Sequence, residues 1–338
     1  MTDGRGYGTR ATESTVTVVI VNWNSGELLR RCLDGLSRQT RRPEQVIVAD
    51  NGSNDGSADG LADNYPGVEV LRLQGNLGFA AANNRAVAQA ATRWVALLNP
   101  DALPEPGWIE ALMRAAEENG EFSLFASRLL LADDPRRLDG TGDVYYTNGL
   151  AARRDHGRLA RDRGVIREEV FSPCAAAALY PIEAFRHHGG FDESYFCYFE
   201  DVDLAFRLRL AGRRCLYVPD AVVRHVGSAL TGFRSEFTLY HGHRNLVWTF
   251  FKDMPTPLLL LYLPQHVLMN LFALAYFTWG GRGAAIARAK WDAVRGLPRV
   301  LRHRGDVQAR RKVGWRDIRR VLTRGVFSYS RRFREEPP

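Results

Sequence analysis

Val46–Ser57 reads VIVADNGSNDGS, an apolar and largely β-branched run that ends in an acid and passes directly into a Gly- and Asn-rich bend. That order predicts a buried strand delivering Asp50 to its C-terminal edge, the place where open α/β sheets bind ligands. On the N-terminal side, Val16–Val21 leads into Asn22-Trp23-Asn24-Ser25-Gly26. The segment after it puts Leu28, Leu29, Cys32, Leu33 and Leu36 on one helical face. On the C-terminal side come a short helix from Ser57 to Tyr65, a strand at Val68–Leu73 and a break at Asn76-Leu77-Gly78. An alanine-rich helix at Ala80–Thr92 and a strand at Trp94–Leu98 follow, the strand stopping at Asn99-Pro100-Asp101. Strands alternating with helices predict an α/β fold: a Rossmann-like, doubly wound, mainly parallel sheet with helices on both faces.

Beyond a helix at Trp108–Asn119, the pattern loosens between Asp133 and Arg167, where charge, Gly and Arg dominate. A mobile loop or small subdomain shaping an acceptor site is expected there. Ser172–Tyr180 and Phe191–Tyr198 resume strand-like or packed character. Asp201–Leu210 reads as a helix, with Asp203 as its capping acid and Arg207 and Arg209 as salt-bridged surface residues, and Cys215–Val218 and Ala221–Val223 as short strands ahead of His225. Leu258–Trp279 (LLLLYLPQHVLMNLFALAYFTW) is long enough to span a bilayer, yet Pro264, Gln265, His266 and Asn270 interrupt it. An interfacial helix or helical hairpin, a packed or dimerising helix pair, and a true span all stay open.

The 338 residues carry a net charge of +8, unevenly spread. From Arg282 to Pro338 there are 17 Lys and Arg against 5 Asp and Glu, leaving −4 for residues 1–281. A slightly acidic body with a cationic tail argues against a globally basic nucleic-acid binder and for contact with an anionic membrane surface. The four cysteines show no CxxC spacing and read as small core residues in a reducing compartment. The polar start, MTDGRGYGTRATEST, predicts a disordered residue 1–15 segment with neither signal peptide nor anchor.

Taken in order, VNWNSGELL, VIVADNGSNDGS, NLGFAAANNRA, LLNPDA and FEDVDLAFRLRLAG resemble the family 2 glycosyltransferases of GT-A fold, and within them the bacterial rhamnosyltransferase-like members. The resemblance covers residues 16–250. It implies a nucleotide-sugar half (about 16–105), an acceptor half (about 106–250) and a basic, amphipathic helical region at 251–338.

Sugar transfer from a nucleotide diphosphate requires neutralising the charge that develops on the leaving group. The resemblance implies Mn2+ or Mg2+ held by Asp101 and His225, with Asn99 standing where the family often has an acid. Asp50, with Asn51 beside it, is the implied acceptor of a pyrimidine N3–H, and Trp23, between Asn22 and Asn24, an aromatic surface for the base. Asn76 and Gly78 would allow close approach of backbone to the ribose or diphosphate. Asn83 lies where the family often has a basic residue.

Asp201 is implied as the base that takes the acceptor hydroxyl proton, with Glu200 contacting sugar hydroxyls. The expected activity is inverting transfer of L-rhamnose from a dTDP- or UDP-sugar to a glycan or polyprenyl-linked acceptor. The expected location is cytoplasmic, peripheral on the inner face of the cell membrane; a homodimer stays open and no nucleic-acid partner is expected. The rival readings are a catalytically inactive adaptor acting through the basic tail and a sugar nucleotidyltransferase. The latter would want a Gly-rich phosphate loop with a basic residue after the first strand, which VNWNSGELL lacks.

Overall fold

The computed structural model describes residues 15–227 and 235–325; the disorder expected for residues 1–15 falls, but for Thr15, outside them. The N-terminal half forms as its pattern predicts. Strands β1 (Val16–Asn22), β2 (Gln45–Asp50), β3 (Val68–Arg72) and β4 (Trp94–Leu98) pair in parallel in the order β3-β2-β1-β4. Helices α1 (Glu27–Ser37), α2 (Leu61–Asn64) and α3 (Phe79–Gln89) make the crossovers. Alternation along β1 sorts its side chains: Val16, Val18 and Ile20 pack with Leu29, Cys32 and Leu33 of α1, while Val19 and Val21 face Ala80, Ala82 and Ala86 of α3. Burying each of the larger aliphatic side chains stabilises by about 1.5–3 kcal/mol.

The second half changes strand direction. β5 (Ala102–Pro104), α4 (Trp108–Glu118) and β6 (Leu124–Leu131) precede a run of short strands, β7 (Leu138–Gly140), β8 (Asp143–Tyr145), β9 (Ala151–Arg153) and β10 (Glu168–Val170). Then come β11 (Ala177–Pro181), α5 (Ile182–His187), α6 (Glu200–Leu210) and β12 (Cys215–His225). β11 lies antiparallel between β4 and β6, whereas β12 runs parallel to β6, so the ten-stranded sheet is mixed rather than mainly parallel. The chain reaches β11 through the β7–β10 excursion and not through a helical crossover, and so is free to enter the sheet antiparallel.

Three expectations need correction. The two late short strands are one strand, β12, with a register shift between Val218 and Val222. Phe191–Tyr198 is no strand: it holds a 3-10 turn at Glu193–Tyr195, and Phe196, Tyr198 and Phe199 adopt positive φ. Asn245 stabilises that path by donating to the carbonyls of Tyr195, Cys197 and Tyr198. Third, Arg207 and Arg209 are buried rather than on the surface, and Asp203 caps nothing. Its carboxylate accepts from Tyr195 Oη (3.2 Å), Lys252 Nζ (2.6 Å) and Arg207 Nη2 (2.7 Å).

Among the described residues four helices follow: α7 (Glu236–Asp253), α8 (Thr256–Trp279), α9 (Gly283–Ala309) and α10 (Trp315–Val321). They are fused to the body, because Phe250, Met254, Leu258 and Ile318 share one buried cluster with Val202, Phe206 and Tyr145. α8 continues through Pro264 without a break, which removes the hairpin form expected for this stretch.

Candidate active site

Parallel pairing sets Asn22 opposite Asp50 at the ends of β1 and β2. Asn22 Nδ2 donates to Asp50 Oδ1 (3.3 Å), Ser53 Oγ (3.0 Å) and Ser57 Oγ (2.9 Å), which fastens the loop after β2 to that edge. Asn24, in the left-handed region, donates its backbone N–H to Ser53 Oγ and accepts from the Asn54 N–H. Asp50 is buried and has an Arg72 Nη1 at 3.4 Å. Trp23 is 38% exposed at the mouth of this edge, so its indole is not core packing.

Asn51 and Asn76 tie the two neighbouring loops together. Asn51 Nδ2 donates to Asn76 Oδ1 (3.0 Å), and Asn51 Oδ1 accepts from the Leu77 N–H (2.9 Å). Gly78, at φ +87°, could not carry a side chain, because a Cβ there would sit 2.5 Å from the Phe196 ring. Asn83 is turned away, 1% exposed and donating to the Phe79 carbonyl of its own helix. Asn99 holds the end of β4 through an N–H to the Ala176 carbonyl, while its Oδ1 is buried without a hydrogen-bond partner.

Antiparallel pairing of β12 with β5 puts His225 opposite Ala102 and hence beside Asp101. His225 Nε2 lies 3.3 Å from Asp101 Oδ1 without hydrogen-bonding geometry, and both residues are buried. On the other side of the ring, Nδ1 meets Asp139 Oδ2 at 2.7 Å. Asp139 also pairs with Arg153 and lies 3.3 Å from His156 Nδ1. Burial would raise the Asp101 carboxyl, but His225 and Arg153 hold it below its ordinary value. Asp139 is likewise driven down by Arg153 and the two imidazoles against the effect of burial. Burial would lower His225, yet the flanking carboxylates raise it.

At the start of α6, Asp201 is half-buried. Its Oδ2 accepts from the Ala175 N–H (2.9 Å) and its Oδ1 from the Val202 N–H (2.8 Å). Burial raises its pKa, against the pull of those amides and of Arg153. Glu200 is buried with Oε2 unpartnered, and burial and then the Asp201 charge push it well up. Ligand atoms of Asp143, Cys174 and Asp201 all lie within 4.8 Å of one another. Arg153 acts on both groups. It reaches His225 Nδ1 at 3.3 Å, and its positive charge acts on Cys174, Asp143, Asp101 and Asp201.

Asp139, Asp143, Arg153 and His156 were missed in the sequence, because they sit on short strands and turns in the charged stretch that offers no periodicity. The only available signal was the density of paired acids and arginines there.

A buried imidazole nitrogen with no hydrogen-bond partner, facing a carboxylate, fits a hard divalent cation. The half-buried carboxylate of Asp201 feels the same Arg153 charge as Asp101, and Asn22 and Asp50 stand together at the ends of β1 and β2, with Trp23 next to Asn22. A nucleotide-binding α/β body with this arrangement is that of a GT-A-type glycosyltransferase.

The glycosyl transferase family 2 model matches residues 17–188, and the chain belongs to that family. It is 32% identical over 265 residues to the N-acetylglucosaminyl-diphospho-decaprenol L-rhamnosyltransferase of Mycobacterium tuberculosis, covering 70% of this chain and 83% of the relative. The pre-mycofactocin glycosyltransferase of the same organism is 34% identical over 212 residues, covering 62% of this chain and 42% of its own. Among solved structures, GalNAc-T7 with UDP, GalNAc and Mn2+ superimposes with a TM-score of 0.57 at 17% identity, over 70% of this chain and 47% of that one. A Pyrobaculum calidifontis mannosyltransferase in complex with GDP-Man and Mn2+ gives 0.52 at 19% identity, over 87% and 85%. Asp201 and His225 lie beyond the family match.

Proposed function

We propose that this glycosyltransferase moves L-rhamnose, with inversion, from dTDP-L-rhamnose to a lipid-linked glycan on the cytoplasmic face of the membrane. The observation that carries the transfer reaction is the buried Asp101–His225 pair together with a separate half-buried carboxylate, Asp201, both under the charge of Arg153. The preference for rhamnose and for a polyprenyl-linked acceptor rests on the mycobacterial relative.

In this reading Asp50 accepts the pyrimidine N3–H, Trp23 stacks on the base, and Asn51, Asn76 and Gly78 shape the passage for ribose and diphosphate. Mn2+ or Mg2+ held by Asp101 and His225 would neutralise the charge developing on the diphosphate. Asp201 takes the proton of the attacking hydroxyl. Its raised pKa makes it a stronger base than a solvated aspartate, and the Ala175 and Val202 amides fix the carboxylate in place. Glu200, buried beside it, orients hydroxyls.

The test is turnover with dTDP-rhamnose, UDP-glucose, UDP-N-acetylglucosamine and GDP-mannose, with and without chelator. Asp201→Asn should cost on the order of 10^2–10^4 in rate with dTDP affinity retained. Full turnover by that variant, or a preference for GDP-mannose, would overturn the proposal.

A further inference from the structure

Among the described residues, α8 is the helix long and apolar enough to cross a membrane, and none of its 24 residues is charged. Its side chains divide into two stripes. The inward stripe, with Tyr262, His266, Met269 and Ala273, is buried against the body. The opposite stripe, with Leu261, Leu268, Leu271, Phe272 and Trp279, is exposed, Trp279 by 95%. A continuous apolar ridge of this length on a folded enzyme marks an interaction surface.

The polar residues of α8 are engaged with protein. His266 stacks on Phe250 with ring centroids 3.9 Å apart, and its Nδ1 meets the Asn148 carbonyl at 2.8 Å. Gln265 Oε1 accepts from Thr147 Oγ1, and Asn270 Nδ2 donates to the His266 carbonyl. Threading α8 through a bilayer would drag these partners into hydrocarbon, or strip them away, with buried Lys252 and Asp253 just ahead of the helix. One face buried in protein and the opposite one exposed suits a helix lying in the membrane plane.

The next helix supplies the charge. After a three-residue turn, α9 exposes Trp291, Val294 and Leu301 beside Arg288, Arg295 and Arg302, the arginines recurring every seventh residue. Between Arg282 and Arg324 there are 14 Lys and Arg and 3 Asp. A second copy of the chain would bring a like-charged surface against this one, whereas an anionic lipid surface complements it.

We infer that the outward stripe of α8, flanked by the α9 arginines, docks on an anionic bilayer. This deepens the reading of a lipid-linked acceptor and rests on it. The contact also reaches the site. The Thr147–Asn148 turn that α8 grips joins β8 to β9, the strands carrying Asp143 and Arg153. Docking would therefore tie the β8–β9 strands, with Asp143 and Arg153, through this turn to the helix that meets the lipid.

The experiment is co-sedimentation of the full chain with phosphatidylglycerol or phosphatidylcholine vesicles, followed by carbonate extraction. Wild type should prefer phosphatidylglycerol and be released by carbonate. A Leu268→Glu/Phe272→Glu variant should bind about tenfold or more weaker, losing transfer to vesicle-embedded acceptor but not to a short water-soluble analogue. Arg295→Glu/Arg302→Glu should lose the lipid preference. Unchanged sedimentation of the double glutamate variant, resistance to carbonate, or a wild-type dimer that the variant splits without altered vesicle binding would overturn the inference. Absence of transfer to the soluble analogue by wild type counts against the rhamnosyl-transfer reading alone, and sedimentation still decides docking.

Discussion

Replacing Asp139 by Asn tests whether this carboxylate holds His225 in the form a metal site needs. Asp139 Oδ2 lies 2.7 Å from His225 Nδ1, so in a metal-loaded site it would accept the Nδ1–H and leave the Nε2 lone pair for the ion. The same carboxylate serves Arg153 and His156, so an amide cannot satisfy all three. With its NH2 toward His225, the imidazole must accept at Nδ1 and carry its proton on Nε2, the wrong tautomer for a ligand. Loss of such an orienting carboxylate weakens metal binding by about 10–100-fold, or about 1.4–2.7 kcal/mol. A destabilisation of about 3–5 kcal/mol accompanies it, because Arg153 is left without its buried partner. Mn2+ titration by calorimetry in the presence of dTDP reads the first effect, and urea unfolding the second. dTDP binding without metal should be unchanged in the folded variant. A folded Asp139→Asn protein that binds Mn2+ as tightly as wild type would refute the reasoning.

Gly78→Ala should destabilise by about 2–4 kcal/mol, from a positive φ and from overlap with the Phe196 ring; a urea midpoint within error of wild type would contradict the packing described. Lys252→Met removes the cation shared at 2.6 Å by Asp192 and Asp203 and should cost about 3–5 kcal/mol by the same measurement, since Asp192 loses its cation and buried Asp203 keeps Arg207 alone. Burial holds the His266 imidazole down at about 4. The unfolded chain therefore binds the extra proton first, and stability present above pH 6.5 is lost as pH falls toward 4, by up to about 3 kcal/mol for this residue. His266→Phe should show a shallower decline between pH 7 and 4.5, and equal slopes would exclude His266 as a contributor.

The first hundred residues were legible because each element there is local. β1, β2 and β4 are apolar runs closed by a turn, and a parallel β-α-β path has one way to lay them side by side, so Asn22, Asp50 and Asp101 had to share an edge. His225 could be matched to a role by resemblance, but its neighbour Asp139 stands 86 residues earlier, in a stretch whose strands are three residues long. Only the pairing of β7 with β6, and of β6 with β12, brings the two together.

Phe191–Tyr198 misled for a related reason. An aromatic run favours a strand locally, and carbonyl capture by Asn245, some fifty residues downstream, overrides that preference. Arg207 looked exposed because an arginine on a helix usually is; its burial depends on the carbonyls of His188 and Gly190 and on Asp203. Periodicity and turn chemistry act over a few residues, and so the sequence alone sufficed for the parallel half of the sheet, its C-terminal edge and the apolar length of α8. Which charges are paired, which carboxylate stays apart, and which face of α8 looks outward are decided by contacts between distant segments, whose energies no local pattern encodes.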